Sequence, residues 1–317
     1  MSTELASVQG VSKRFGRTLA LNDLSLVVPE GSVCGLLGPN GSGKTTAIRV
    51  LLGLIAADAG RAELLGTKIG SHEFTGAVRQ TGALIEGPAI YGRASARQNM
   101  HIQAAALGLR PAQAGVDSLL ELVGLSGRAD TNSRGFSLGM KQRLGLAMAL
   151  IGNPRMVILD EPTNGLDPSG IVEIRELITR LPESGVTVLV SSHLLSEVQL
   201  MCDRATIISR GAVVADGTMD EILNQAGADG GYRIRVSPVE VTAARAALAD
   251  VGFSVADAGG QELAVTGPIE GGSQISSLLA GSGIYVSELR RDLPDLERVF
   301  LSLTADSGEP GGSADAR

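Results

Sequence analysis

One octet limits what this chain can fold into more than any other feature. Val33-Cys-Gly-Leu-Leu37 is a continuous apolar run, as a strand buried on both faces requires. It runs straight into Gly38-Pro39-Asn40-Gly41-Ser42-Gly43-Lys44-Thr45, and the spacing predicts a helix from Lys44 to about Leu54. A glycine loop between a buried strand and a helix turns successive backbone N–H groups inward, and the helix adds its positive dipole end. Residues Gly38, Pro39, Asn40, Gly41, Ser42 and Gly43 are therefore candidates to cradle a phosphate chain. Lys44 would reach its outer phosphates, Thr45 would offer a hydroxyl to Mg²⁺, and Thr46 is grouped with them. A chance turn containing Lys and Thr is the competing reading; the strand before it and the helix after it argue against that.

A second apolar run, Met156 to Leu159, ends in Asp160-Glu161, and a third, Val186 to Val190, ends in Ser191-Ser192-His193. In a parallel sheet, ligands gather beyond the carboxyl ends of the strands. Asp160 is placed there to orient Mg²⁺, directly or through water, and Glu161 to polarise an attacking water as general base. Alone, the two carboxylates are as well explained as a polar strand end capping the next turn. Paired with the glycine loop, they read as a nucleotide site.

Taken together, the residues resemble a known family. Asp160-Glu-Pro-Thr-Asn-Gly-Leu-Asp167-Pro168 is similar to the Walker B and D-loop segments of ABC ATPases. Phe136-Ser137-Leu138-Gly139-Met140-Lys141-Gln142-Arg143 resembles their signature motif, and His193 their switch histidine. The resemblance covers about residues 5 to 220. It implies a P-loop ATPase core of α/β class with an antiparallel β subdomain and a helical subdomain. It also implies two cassettes, two copies or a copy and a paralogue, closing head to tail on two ATP molecules. Ser137 and Gly139 of one cassette would then meet the γ-phosphate held by the other, and His193 would contact that phosphate and the attacking water. Ser137 can equally serve as a plain helix N-cap, or as both. The wording from Ile85 to Tyr91 and around the signature is similar to bacterial drug, bacteriocin and antibiotic export cassettes, though Arg97-Gln98-Asn99-Met100 is a looser match.

Several positions depart from the common pattern. Leu138 stands where Gly is usual and Met140 where Gln is usual. Phe15 occupies the place of the tyrosine that stacks on adenine; a phenyl face still stacks, and a core phenylalanine is the other reading. Glu86 stands where the Q-loop glutamine is expected; it could bind Mg²⁺ or water catalytically, or be an ordinary loop carboxylate. His72 and His101 fit no motif and read as surface or subdomain residues.

Composition bounds the setting. A net charge of −7 argues against a nucleic-acid partner, which favours a basic stripe. Cys34 and Cys202 lie far apart without metal-ligand spacing, so they read as reduced, buried and cytosolic. The N-terminus shows no secretory pattern, and no apolar run reaches the ~20 residues that span a bilayer. A transport function would need a separate membrane permease, holding this chain at the cytoplasmic face of the membrane.

The cassette is expected over 1–224, with helices at Ser95–Gly108, Pro111–Gly124 and Ser137–Ile151 inside a helical subdomain of about 87–152. A linker follows at 225–231, then a small α+β domain at 232–304 in β-α-β-β-α-β order, suggesting a ferredoxin-like unit. Residues 305–317 read as a disordered tail. The leading reading is the ATP-hydrolysing subunit of an exporter of drugs, antibiotics or peptides. The alternatives are an importer ATPase and a soluble ABC ATPase acting on ribosomes or nucleic acid.

Overall fold

In the computed structural model, residues 3–110, 113–225, 231–269, 271–292 and 296–305 are described. The chain divides into two compact units, Met1–Met219 and Asp220–Arg317. The first unit opens with a long antiparallel pair, β1 (Glu4–Phe15) and β2 (Thr18–Pro29). The apolar pattern predicts shorter strands, Ser7–Phe15 and Ser25–Val28, and both observed strands exceed them. The reason is bulging: the register shifts between Val8 and Val11 and again near Lys13, and Gly10 has φ +62°, so apolar alternation is broken. Strand β3 (Val33–Leu37) is buried throughout, and α1 (Lys44–Leu51) follows the glycine loop. Helix α1 stops three residues before the expected Leu54, because Gly53 turns the chain out at φ +67°. Next come β4 (Ala59–Leu64), β5 (Thr67–Lys68), α2 (Phe74–Arg79) and β6 (Thr81–Leu84). The order β2-β1-β4-β5 makes the antiparallel subdomain.

Three helices follow, α3 (Ala96–Ala106), α4 (Val116–Leu122) and α5 (Leu138–Ala149). Ser95 and Gln98 form a reciprocal capping box that starts α3. Helix α4 begins later than the expected Pro111, behind Gly115 in left-handed conformation; residues 111 and 112 lie outside the described ones. Met100, Leu120, Phe136, Leu144, Ala147 and Ile151 share one core, so these helices bury an apolar face of helical period.

The remaining elements of the first unit are β7 (Met156–Asp160), α6 (Pro168–Arg180), β8 (Thr187–Ser192), α7 (Leu195–Gln199), β9 (Arg204–Ser209) and β10 (Ala212–Thr218). The main sheet runs β10-β9-β3-β8-β7-β6, parallel except at β10. Its register positions the site. Leu37 pairs with Ser192 and Asp160 with Ser191, so β3, β7 and β8 end side by side. On β6, an added Cβ at Gly82 would lie 1.9 Å from the Ala149 carbonyl oxygen, so glycine is what lets α5 seat directly on the sheet.

Cys34 and Cys202 are both buried free thiols. Burial pushes the Cys34 thiol up to about 11, against a smaller opposing hydrogen bond from Ser32, and pushes Cys202 well above its ordinary range. Both should stay unlabelled by maleimide in the native protein at pH 8 and label fully on unfolding. Because the folded pKa lies above the unfolded value, stability should fall as pH rises through about 9 to 11.

The second unit carries α8 (Met219–Gln225), β11 (Gly231–Arg235), α9 (Val241–Asp250), β12 (Ser254–Gly259), β13 (Glu262–Thr266), α10 (Gly272–Gly281), β14 (Glu288–Asp292) and α11 (Leu296–Ala305). Its sheet order β12-β13-β11-β14 is antiparallel at every pair, the topology of a ferredoxin-like unit. The division at Met219 groups most of α8 with this unit, whereas the sequence places the boundary at 224. Most of the expected linker, 226–230, and the expected tail from 306 to 317 lie outside the described residues. The sequence pattern predicts the last strand at Ile284–Leu289; the observed strand is Glu288–Asp292. Ion pairs stitch it to β11: Arg233 to Asp292 at 3.0 Å and Arg235 to Glu288 at 3.2 Å. Arg235, at 2.6 Å, also draws the Glu262 carboxyl below its usual range. Among the described residues no helix is long and apolar enough to cross a membrane.

Candidate functional site

The glycine loop is held open from below by its own lysine. Lys44 Nζ donates to the carbonyl oxygens of Gly38 at 2.7 Å and Pro39 at 3.3 Å, and its side chain is almost wholly buried. The loop is tied to the β9–β10 turn by Gly211 N donating to Ser42 O at 2.8 Å. Gly43 has φ +114°, and a Cβ there would lie 2.7 Å from Ala20 O, so only glycine lets the loop sit this close to β2. The Ser42 hydroxyl is buried without a hydrogen-bond partner among the described residues. A cavity of about 310 Å³ faces the loop, lined by Asn40, Gly41, Gly43, Lys44, Thr45 and Thr46, with Glu161 and Arg210.

Across β8, the carboxylates form a hydrogen-bonded chain. Thr45 Oγ1 donates to Asp160 Oδ2 at 2.9 Å, and Ser191 Oγ donates to Asp160 Oδ1 at 2.5 Å. Ser191 Oγ in turn accepts from Glu161 N at 3.0 Å. Glu161 Oε1 lies 3.2 Å from Lys44 Nζ, and His193 Nδ1 donates to Glu161 Oε2 at 2.7 Å. Glu161 sits at φ +52° and Glu86 at φ +56°. Left-handed backbone costs a non-glycine residue roughly 1–3 kcal/mol, and this strain gathers at functional loops. A hydroxyl and a carboxylate at hydrogen-bond distance, with a glycine loop and a buried ammonium beside them, fit a triphosphate with a hard divalent cation.

Glu86 lines a larger cavity of about 680 Å³ together with Thr45, Asp160, Glu161, Gln142 and Asn164. Its carboxylate pairs with Arg49 on α1, so the added charge is balanced at the site's edge. That pair is exposed and contributes about 0–1 kcal/mol. Phe15 is not among the residues lining the loop cavity. It is half exposed, with Lys13 Nζ 5.6 Å from its ring centroid, and Thr18, Leu19 and Ala20 line the cavity from the same hairpin. Ser137 and Gly139 are also apart from the loop. They line a separate concavity of about 380 Å³ with Gly165, Leu166 and Asp167. Ser137 Oγ accepts from Met140 N at 3.2 Å, a working N-cap for α5. Asp167 likewise caps α6, accepting from Gly170 N at 3.2 Å.

Sequence reasoning missed four contributors. Ser191 is the bridge between Asp160 and the Glu161 backbone. Arg49 lies four residues after Thr45 and so on the same side of α1, a helical spacing that could have pointed to it. Asn99 is fully buried, accepting from Tyr91 N at 2.7 Å and donating to Ser133 Oγ at 2.9 Å, which pins the loop after Glu86 to the helical subdomain. Gln142 lines the larger cavity; it lies within the signature segment, but no role was read for it. His72 and His101 are exposed.

The sequence profile of the family described as ABC transporter matches residues 21–164. The daunorubicin resistance ATP-binding protein DrrA3 of Streptomyces coeruleorubidus is 36% identical over 96% of this chain and 98% of its own length. The lantibiotic transport ATP-binding protein SrtF of Streptococcus pyogenes is 38% identical over 68% of this chain and 92% of its own. A solved structure described as the ATP binding subunit of an ABC transporter aligns with a TM-score of 0.63 and 31% identity, covering 70% of this chain and 93% of that one.

Proposed function

The chain belongs to the family of ABC transporter ATP-binding proteins, and from that premise we propose that it is the ATP-hydrolysing subunit of an exporter for drugs, antibiotics or peptides. ATP binding and hydrolysis are the family's activity. The observation that carries the local reading is the Thr45–Asp160 and Lys44–Glu161–His193 constellation at the ends of three adjacent parallel strands. Thr45 and Asp160 would hold Mg²⁺, which supplies charge neutralisation at the phosphates. Lys44 exchanges its carboxylate partner for phosphate oxygens. Glu161, so released, takes the proton of the attacking water, while His193 orients the carboxylate and the water. Glu86 borders this site and contributes a further oxygen toward metal or water.

Ser137 and Gly139 open into a different cavity from the chain's own Lys44. A helix N-terminus with a serine hydroxyl suits a γ-phosphate, so a second cassette would bring its signature onto this loop. Phe15 would stack on the adenine, given the exposure of its ring. Exporter cargo is supported by the near full-length match to a daunorubicin resistance protein, second unit included. The chain works at the cytoplasmic face of a membrane, docked on a separate multi-span permease.

Purification of the tagged chain in mild detergent from its own cells tests the assignment. Stoichiometric recovery of one membrane protein with about six apolar spans is the expected result. Recovery with ribosomes or nucleic acid, and no membrane protein, would contradict it.

A further inference from the structure

Helix α7 starts two residues after His193 and spans only Leu195–Gln199. A helix this short does not hold itself, and its first turn has no side-chain cap. Its setting must come from what it packs on. Val198 is fully buried, and a Cβ on Gly35 would lie 2.6 Å from Val198 Cγ1, so glycine in β3 lets α7 rest directly on the sheet. That contact fixes one point of α7 and leaves rotation about it. Beside this pivot, Glu197 Oε2 accepts from Arg175 Nη1 at 3.3 Å, both side chains largely buried. Arg175 belongs to α6, which is anchored by Ile174 and Ile178 in the core and capped by Asp167. An anchored helix thus grips a short one, and the short one leads back to the histidine that donates to Glu161 at 2.7 Å.

We propose that Arg175 and Glu197 are positioning residues for hydrolysis. Their pair stops α7 from turning about Val198, and so keeps His193 Nδ1 aimed at the Glu161 carboxylate. Neither residue lines the cavity of Lys44 or that of Asp160, so both act through His193. The inference rests on the hydrolysis reading above, in which Glu161 is the base.

The ring-nitrogen NMR signals of His193, read beside kcat, test this. The chain has three histidines, and the signal lost in His193→Ala assigns the one that matters. In the wild type without nucleotide at pH 8, the ring should be protonated at Nδ1, the atom that donates to Glu161. Glu197→Ala and Arg175→Ala should each mix the two tautomers and lower kcat about 5–20-fold, with KM for ATP within about twofold. Arg175→Glu combined with Glu197→Arg re-forms the pair in reverse and should recover most of both losses. Unmixed tautomers or wild-type kcat in both single variants, or a reversed pair no better than either, would overturn the proposal. So would losses of kcat that simply follow Tm, because packing alone would then explain them. A wild-type ring not protonated at Nδ1, or a wild type that hydrolyses no ATP, would sink the function assigned above. If the wild type passes both checks and the single variants match it, only the role of the pair fails.

Discussion

Glu161→Gln is expected to bind ATP at least as tightly as the wild type and to hydrolyse it about 10²–10⁴-fold more slowly. The slowing follows from the loss of the proton acceptor. The retained affinity follows from a contact within the site: Lys44 Nζ lies 3.2 Å from Glu161 Oε1, both side chains largely buried. ATP must take the ammonium away from that carboxylate. A neutral amide in its place would compete far less for the cation, so the loop is left readier for phosphate. His193 keeps a hydrogen-bonding partner, because the amide oxygen can accept from Nδ1 where the carboxylate does now. Equilibrium ATP binding and single-turnover phosphate release on the same preparation measure both effects. Wild-type turnover in this variant would remove Glu161 from the role of base, and lost binding would show that its carboxylate holds nucleotide.

Lys44→Met should show the opposite pattern, losing ATP affinity by about 100-fold or more. Charge-assisted hydrogen bonds contribute about 1.5–3 kcal/mol each, and Lys44 would direct more than one at the phosphates. The loop's shape suffers too, because Lys44 Nζ now braces the Gly38 and Pro39 carbonyls. The fold should survive. Glu161 would lose its ammonium but keep His193 at 2.7 Å, so it would not become an isolated charge. Isothermal titration with ATP, with circular dichroism as the check on folding, measures this. Unchanged affinity would mean that the loop does not hold the phosphates through Lys44.

The parts of this architecture that could be read from sequence are those where a chemical requirement and a folding requirement coincide. The run Val33–Leu37 had to be buried on both faces, and the glycines after it had to bare their amides, so strand, loop and helix were legible as one unit. The same holds for Met156–Asp160, apolar until its last residue. Strands β1 and β2 were under-read because bulges around Gly10 and Lys13 break the alternation on which strand reading depends. Strand β14 was displaced toward Ile284 because its residues, ELRRD, are held by cross-strand ion pairs instead of apolar burial. Within the site, motifs named the residues on the loop and at the strand ends. They could not reveal the part of Ser191, which depends on which strand lies next to which, and Arg49 was signalled only by its helical spacing from Thr45. Phe15 marks the reverse case: its motif position suggests stacking on the base, and its half-exposed ring beside Lys13 is set by the end of a hairpin.

Sedimentation of the Glu161→Gln protein with and without MgATP tests the two-chain site most directly. Within one chain, Ser137 and Lys44 open into different cavities, and in the function proposed above the serine end of α5 from another copy completes the phosphate site. The account predicts a monomer without nucleotide, a dimer holding two ATP with it, and loss of that dimer when Ser137 is changed to Arg. A protein that binds MgATP stoichiometrically and still sediments as a monomer would contradict it.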